Sequence, residues 1–328
     1  MITRFPASPR PRLLLVLAAI LMPFFASPAP AQTLPDATIA LYPPEAGELA
    51  YADLHTLRQS PHYKILHDSY VPARLRQLET QALSMGIDFE AQAQQLSWAY
   101  LTTQNGIELI SVAEGTFAPS TVSERAQAMK LPMAEVAGKT IIAMGQNEAG
   151  QAFAIAFPES SKLVFGTRTQ VEAMLNRAAS GAPGFLQNQT LSPLLPEANG
   201  RNSIWSVMDQ RFAAIELKAI APDAAGRPEA QQLLNNLRAA VARASLGNDL
   251  SSTASFLCGD ANQAALLAAV AQAGFALYAT AEANQNPDMA SALRAAVVQQ
   301  SGDRVELNLS LTQSQIGLLL AHSTPVRR

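Results

Sequence analysis

The chain has 328 residues, 48% of them hydrophobic and 15% charged, with 23 Lys+Arg against 26 Asp+Glu, four His and one Cys. This slightly acidic balance excludes the basic face that a nucleic-acid binder needs, and equally a polybasic membrane patch. The lone cysteine, Cys258, excludes an internal disulfide, so stability must come from a core; a chain of this size buries roughly 75% of its unfolded surface.

Residues 1–31 predict a cleavable export signal. Arg4, Arg10 and Arg12 precede an apolar run at 13–25, and small residues ending Ala29-Pro30-Ala31 follow. The run is shorter than the roughly 20 residues that span a bilayer core. Cleavage is expected after Ala31, because cutting after Ala29 would leave Pro30 next to the scissile bond. Pro11 splits Arg10 from Arg12, which argues against the twin-arginine route. Removing 1–31 leaves 20 Lys+Arg against 26 Asp+Glu, a formal charge of −6.

Residues 32–47, with Pro35, Pro43 and Pro44, read as an extended arm. A strand is expected over 49–53, then a helix whose face holds Leu75, Leu78, Ala82 and Met85, stopped by Gly86. Leu96, Trp98 and Tyr100 alternate as in a half-buried strand. Asn105-Gly106 turns a hairpin into a return strand at 107–113. Thr121 and Glu124 have capping-box spacing before a helix to about Lys130. A second hairpin is expected at 140–157 around residues 147–150, then a strand at 163–165. Thr169 and Glu172 open another capping box and a helix through Asn176.

Residues 178–202 hold Ser180, Gly181, Pro183 and Gly184 and read as a linker. Beyond it the same order of elements recurs. A strand is expected at 204–208 and a helix at 228–239. A hairpin turns at Asn248-Asp249, and Ala254, Phe256 and Cys258 share a face of its return strand. Asp260 caps a helix over 261–280, and another helix covers 287–299. In the last strand Val305, Leu307, Leu309 and Leu311 alternate with polar residues. A closing helix carries Ile316, Leu319 and Leu320.

Superposing the halves aligns Tyr51-Ala52-Asp53 with Val207-Met208-Asp209, Leu75-Arg76 with Leu237-Arg238, the Asn105-Gly106 hairpin with that at Asn248-Asp249, and Thr169-Gln170 with Thr312-Gln313. The expected architecture is therefore α+β: two similar repeats of antiparallel sheet covered by helices, at 48–177 and 203–322, with a tail at 323–328. The 261–280 helix is long and apolar. Its alanines gain little in lipid, and Asn262, Gln263 and Gln272 oppose insertion. It is expected to be a buried helix of a soluble core, so no integral span is expected in the mature chain.

Reaction chemistry is hard to find. His55, His62 and His67 cluster near Asp53 and Asp68, but their spacings of seven and five do not share a helical face as metal ligands would. They read as surface histidines, and His322 as an exposed tail residue. No G-x-S-x-G elbow, S-x-x-K or Gly-rich phosphate loop occurs. Cys258 reads as a packed thiol, since reactivity needs a base beside it. Asp53 and Asp209 stand where a strand enters a helix, and capping explains both. Asn188 and Asn308 match a glycosylation pattern that is common by chance. No catalytic, cofactor or metal residue is assigned.

The early strand ending in Asp53, the Ser60-Pro61 step and the strand holding Ile204-Trp205 together resemble uncharacterised exported bacterial proteins. The resemblance implies export and no activity. Export, duplication and the lack of a catalytic constellation point to a non-catalytic interaction or scaffold module with an envelope protein partner, periplasmic or secreted. One alternative is a carrier holding a lipid or other apolar ligand between sheet and helices. Another is a hydrolase of envelope polymers, whose polar residues would converge in a cleft.

Overall fold

The computed structural model describes residues 32–70, 73–104, 106–146, 150–220 and 233–322. The export signal expected at 1–31, Asn105, residues 147–149 of the expected second hairpin and the tail expected at 323–328 lie outside the described residues. The fold is α+β, and the chain divides after Asp209 into two compact units.

The first unit carries a wholly antiparallel sheet. Its strands are β1 (Glu48–Asp53), β2 (Ala93–Thr103), β3 (Gly106–Gly115), β4 (Met133–Val136), β5 (Lys139–Gln146), β6 (Ala152–Glu159), β7 (Lys162–Thr167) and β8 (Ile204–Asp209). They run in the order β8-β1-β2-β3-β7-β6-β5-β4. All six residues of β1 are buried, as a strand paired on both edges and covered on both faces must be. One face packs under the helices Ala73–Ser84 and Pro119–Ala128. There Ala82, Met85, Val122 and Ala126 meet Ala113, Ile142, Ile155 and Leu163. Gly86, at φ +90, ends the first of these helices where the sequence placed a stop.

On the opposite face, Trp205, Tyr51, Ser97, Val112, Val164 and Ala156 form one buried cross-strand row from β8 to β6. Here the structure corrects the extended arm. Residues 32–47 include a helical turn, Asp36–Ile39, and bury Leu34, Ile39 and Tyr42. The arm is pinned by side chains far along the chain. Asn199 exchanges two hydrogen bonds of 2.8 Å with the Leu34 backbone, and Arg177 donates to the Leu41 carbonyl at 2.9 Å. Asn188 donates to the carbonyls of Pro44 and Ala46 at 2.8 and 3.0 Å.

The segment expected as a linker is packed too. It contains the end of the helix Arg168–Ser180, two 3-10 turns at Gly184–Gln187 and Ser192–Leu194, and the buried side chains of Phe185, Leu191 and Leu195. Apolar residues spaced among the prolines and glycines outweigh the turn formers. Neither expected capping box forms. Pro119 starts its helix two residues before Thr121, and Thr169 lies inside its own helix with Glu172 paired to Arg168 at 2.7 Å.

The second unit holds β9 (Leu237–Leu246), β10 (Leu250–Cys258), β11 (Val297–Ser301) and β12 (Arg304–Leu311), in the order β11-β12-β10-β9. Two helical expectations give way to strands. The start of the 228–239 run lies outside the described residues, and from Leu237 the chain pairs with β10. The 287–299 helix ends at Ala295, and Val297 opens β11, which turns through Gly302 (φ +58) into β12. The alanine-rich run 237–246 follows its partner strand against local propensity, whereas the β-branched pair Val297-Val298 suits a strand.

The repeat is visible in topology. Within their own units, β2-β3-β7-β6 and β9-β10-β12-β11 are ordered alike, each a hairpin whose second strand pairs with the last strand of the antiparallel run that follows, β4 to β7 in the first unit and β11-β12 in the second. The sequence superposition maps Ala50 onto Ser206, and these two residues are register partners in the antiparallel β1–β8 pair. β8 opens the second repeat in sequence, yet its pairing with β1 counts it with the first compact unit.

Candidate functional site

The candidates from sequence do not come together into chemistry. His55 lies on the turn Leu54–Leu57, 3.3 Å from the Gln59 amide nitrogen. His62 is buried, and its backbone donates to Ser60 Oγ at 3.2 Å. His67 Nε2 is 3.4 Å from Glu79 and 3.5 Å from Glu90. Among the described residues no three His, Cys, Asp or Glu side chains could hold a metal ion. The side chains of Asp68 and His322 lie outside the described residues.

Asp53 does what a cap does: its carboxylate accepts from the Thr56 N–H at 3.0 Å and from Thr56 Oγ1 at 2.7 Å. Asp209 ends β8, its backbone N–H donating to the Gly47 carbonyl at 2.8 Å. Cys258 is buried beside Ala254 and Phe256, and burial, reinforced by Asp303, pushes its thiol pKa up. That disfavours the thiolate a nucleophile needs. Asn308, within β12, accepts from Thr253 at 2.9 Å.

A buried carboxylate missed in the sequence explains the Thr169-Gln170 equivalence. Glu108, on β3, accepts from Thr103 Oγ1 (2.9 Å), Thr167 Oγ1 (3.2 Å), Thr169 Oγ1 (3.0 Å) and Gln170 Nε2 (2.8 Å). Burial pushes its pKa up, the four hydrogen bonds outweigh that, and the carboxyl is held below its ordinary value. It closes the first turn of the helix Arg168–Ser180, where a negative charge also meets the positive end of the helix. In the second unit Asp249, beside β10, accepts from the Gln313 N–H at 2.9 Å and holds the start of the helix Gln313–His322. Glu108 is a structural clamp with both oxygens engaged, and Asp249 is an exposed acid that holds the next helix through one oxygen.

One other buried group stands out. Tyr51 and Trp205 stack with ring centroids 5.6 Å apart, and among the described residues neither the Tyr51 hydroxyl nor the Trp205 indole N–H has a hydrogen-bond partner. Tyr42, close by in sequence to the same strand, instead pairs its hydroxyl with Ser97 Oγ at 2.7 Å.

The surface feature without a structural explanation is the helix Ala261–Glu282. Asp260 caps it as expected, accepting from the Gln263 N–H at 2.9 Å. The expected burial does not hold. The helix packs on β10, β11, β12 and the helix Pro287–Ala295 through small side chains, Ala264, Ala268 and Ala279, which are buried. Three of its large apolar residues point away, Leu277 at 69% exposure, Leu266 at 54% and Val270 at 44%, while Leu267, Phe275 and Tyr278 are half-buried. At about 100° per residue, the alanine stripe and the Leu/Val stripe lie about 180° apart. Alanine lets the helix lie close to the sheet, and that close packing turns leucine outward. Both stripes are legible in the sequence; which one faces the sheet is not.

No family profile and no curated protein matches the chain. Two crystal structures of a protein named TP0453 are similar to it in fold. Crystal form I gives a TM-score of 0.52 at 11% identity, covering 91% of this chain and 98% of that one. Crystal form III gives 0.50 at 11% identity, covering 91% and 100%. At such identity the likeness establishes a shared α+β fold over nearly the whole of both chains.

Proposed function

We propose that the chain is an exported, non-catalytic contact protein of the cell envelope, whose contact element is the outer face of the helix Ala261–Glu282. The observation that carries this reading is the inversion of that helix, alanine inward and Leu266, Val270 and Leu277 outward. Soluble proteins rarely expose contiguous apolar surface of this kind unless something covers it. The 1–31 signal pattern supports the export part of the reading. The structural engagement of Asp53, Glu108 and Cys258 favours contact over hydrolysis. The outward direction of the leucines favours surface contact over cargo held inside the fold.

The test is photo-crosslinking in expressing cells, with the reactive group placed in turn at 266, 270, 277 and, as a control, at exposed Leu83. Adducts to an envelope component from the three helix positions and not from position 83 support the reading. Equal labelling everywhere, or no adduct at all, refutes it. Fractionation of the same cells tests the location, with recovery in the cytoplasm counting against it.

A further inference from the structure

We infer that what covers the Ala261–Glu282 helix is a lipid surface of zwitterionic headgroups, against which the helix lies flat. This rests on the contact reading above and names the partner. Three observations converge on it. From 261 to 281 there is no Asp, Glu, Lys or Arg, although most of these residues are exposed or half-exposed. A helix that docks in a protein groove presents one apolar stripe and keeps charge on the rest. A helix uncharged on every side belongs in a core or in lipid, and this one, with only the amides of Asn262, Gln263 and Gln272 among its apolar residues, has just its alanine face in its own core. Among the described residues it is the one helix long and apolar enough to cross a membrane, and 17% of its apolar stretch is buried.

The flat orientation follows from what holds the inner face. Ala264, Ala268 and Ala279 stay packed on the strands of the second unit, so the outer face alone is free to meet acyl chains. Leu266, Val270 and Leu277 would enter the headgroup–acyl boundary, at a depth of about 5–10 Å. The charge pattern selects the headgroup. Over 210–328 nine Lys+Arg balance nine Asp+Glu, so the unit offers anionic lipid no net positive charge. Asp260 and Glu282 bracket the helix, with Asp288 in the first turn of the next. An acidic rim repels anionic lipid, so attachment comes from apolar burial and not from counterion release.

The experiment is flotation of the purified chain with phosphatidylcholine vesicles, with and without phosphatidylglycerol, at low and high salt. The chain is expected to float with neutral vesicles to the same extent at both salt levels, with no gain from anionic lipid. The double variant Leu266→Glu, Leu277→Glu should lower the partition coefficient at least about tenfold. Both side chains are exposed, so circular dichroism and the unfolding midpoint should stay as in the parent chain, and Leu83→Glu should float normally. Failure to float, equal flotation of the double variant, or binding that needs anionic lipid at low salt each overturns the inference. If the chain fails to float but self-associates in ultracentrifugation, and the double variant does not, a second copy covers the helix. The lipid inference then falls while the contact reading stands. If neither flotation, self-association nor in-cell crosslinking depends on the helix, both fall.

Discussion

Removing the Glu108 carboxylate should unlock β3 from the helix Arg168–Ser180. Its four donors, at 2.8–3.2 Å, come from four separate side chains, three of them in the first turn of that helix or just before it. Glu108→Ala leaves a void and four donors without their acceptor. Hydrogen bonds to a charged group are each worth about 1.5–3 kcal/mol but do not add, and desolvation of the carboxylate offsets part of them. The expected loss is about 3 kcal/mol. Glu108→Gln keeps one oxygen for the helix side, and the Thr103 hydroxyl can turn to accept from the new amide. Its expected loss is about 1 kcal/mol. Both tryptophans, Trp98 and Trp205, belong to the first unit, so urea unfolding followed by tryptophan fluorescence reports on that unit.

The pH dependence has a definite sign. Glu108 has a folded pKa below its ordinary value, so its contribution is fully present above the unfolded pKa of about 4.3 and is lost as pH falls through the folded value. The gap between parent and Glu108→Gln should therefore be constant at neutral pH and close below about pH 4. An alanine variant within about 0.5 kcal/mol of the parent, or a gap that widens in acid, refutes the clamp.

Gly184 has φ +51, and a Cβ there would lie 2.0 Å from the Ala40 carbonyl oxygen and 2.5 Å from that of Tyr42. Gly184→Ala should therefore destabilise the first unit by about 3 kcal/mol or more, with unchanged stability in urea showing that the arm is not seated there. Tyr51→Phe removes a buried hydroxyl that has no partner among the described residues and should be neutral or stabilising by up to about 1 kcal/mol; a loss of that size would mean the hydroxyl is bonded. The Cys258 thiol should react with a disulfide reagent only as the second unit unfolds, and prompt reaction in native buffer would contradict its burial.

Asp260→Ala should lower the stability of the second unit by about 1 kcal/mol, read by circular dichroism, because Gln263 loses its capping acceptor. An unchanged midpoint would show that packing of the alanine stripe alone holds the helix.

What the amino-acid order determined by itself was local. The alternation of Val305, Leu309 and Leu311, the stop at Gly86, the caps at Asp53 and Asp260 and the turn at Asn248-Asp249 each depend on a few neighbours, and each was legible. The duplication was legible through order and through the Thr-Gln pairs, although not the acids that bind them. What only the tertiary structure decided depends on partners distant in the chain. Residues 237–246 become strand because β10 offers a ladder, and the 32–47 arm is buried because Asn188 and Asn199 reach it across more than 140 positions. Glu108 looks in sequence like any exposed acid of a strand. The 261–282 helix carries two apolar stripes, and hydrophobicity alone assigns leucine to the core. Close approach to a sheet favours the smaller side chain instead, and that packing choice, absent from any local pattern, puts Leu266, Val270 and Leu277 on the surface.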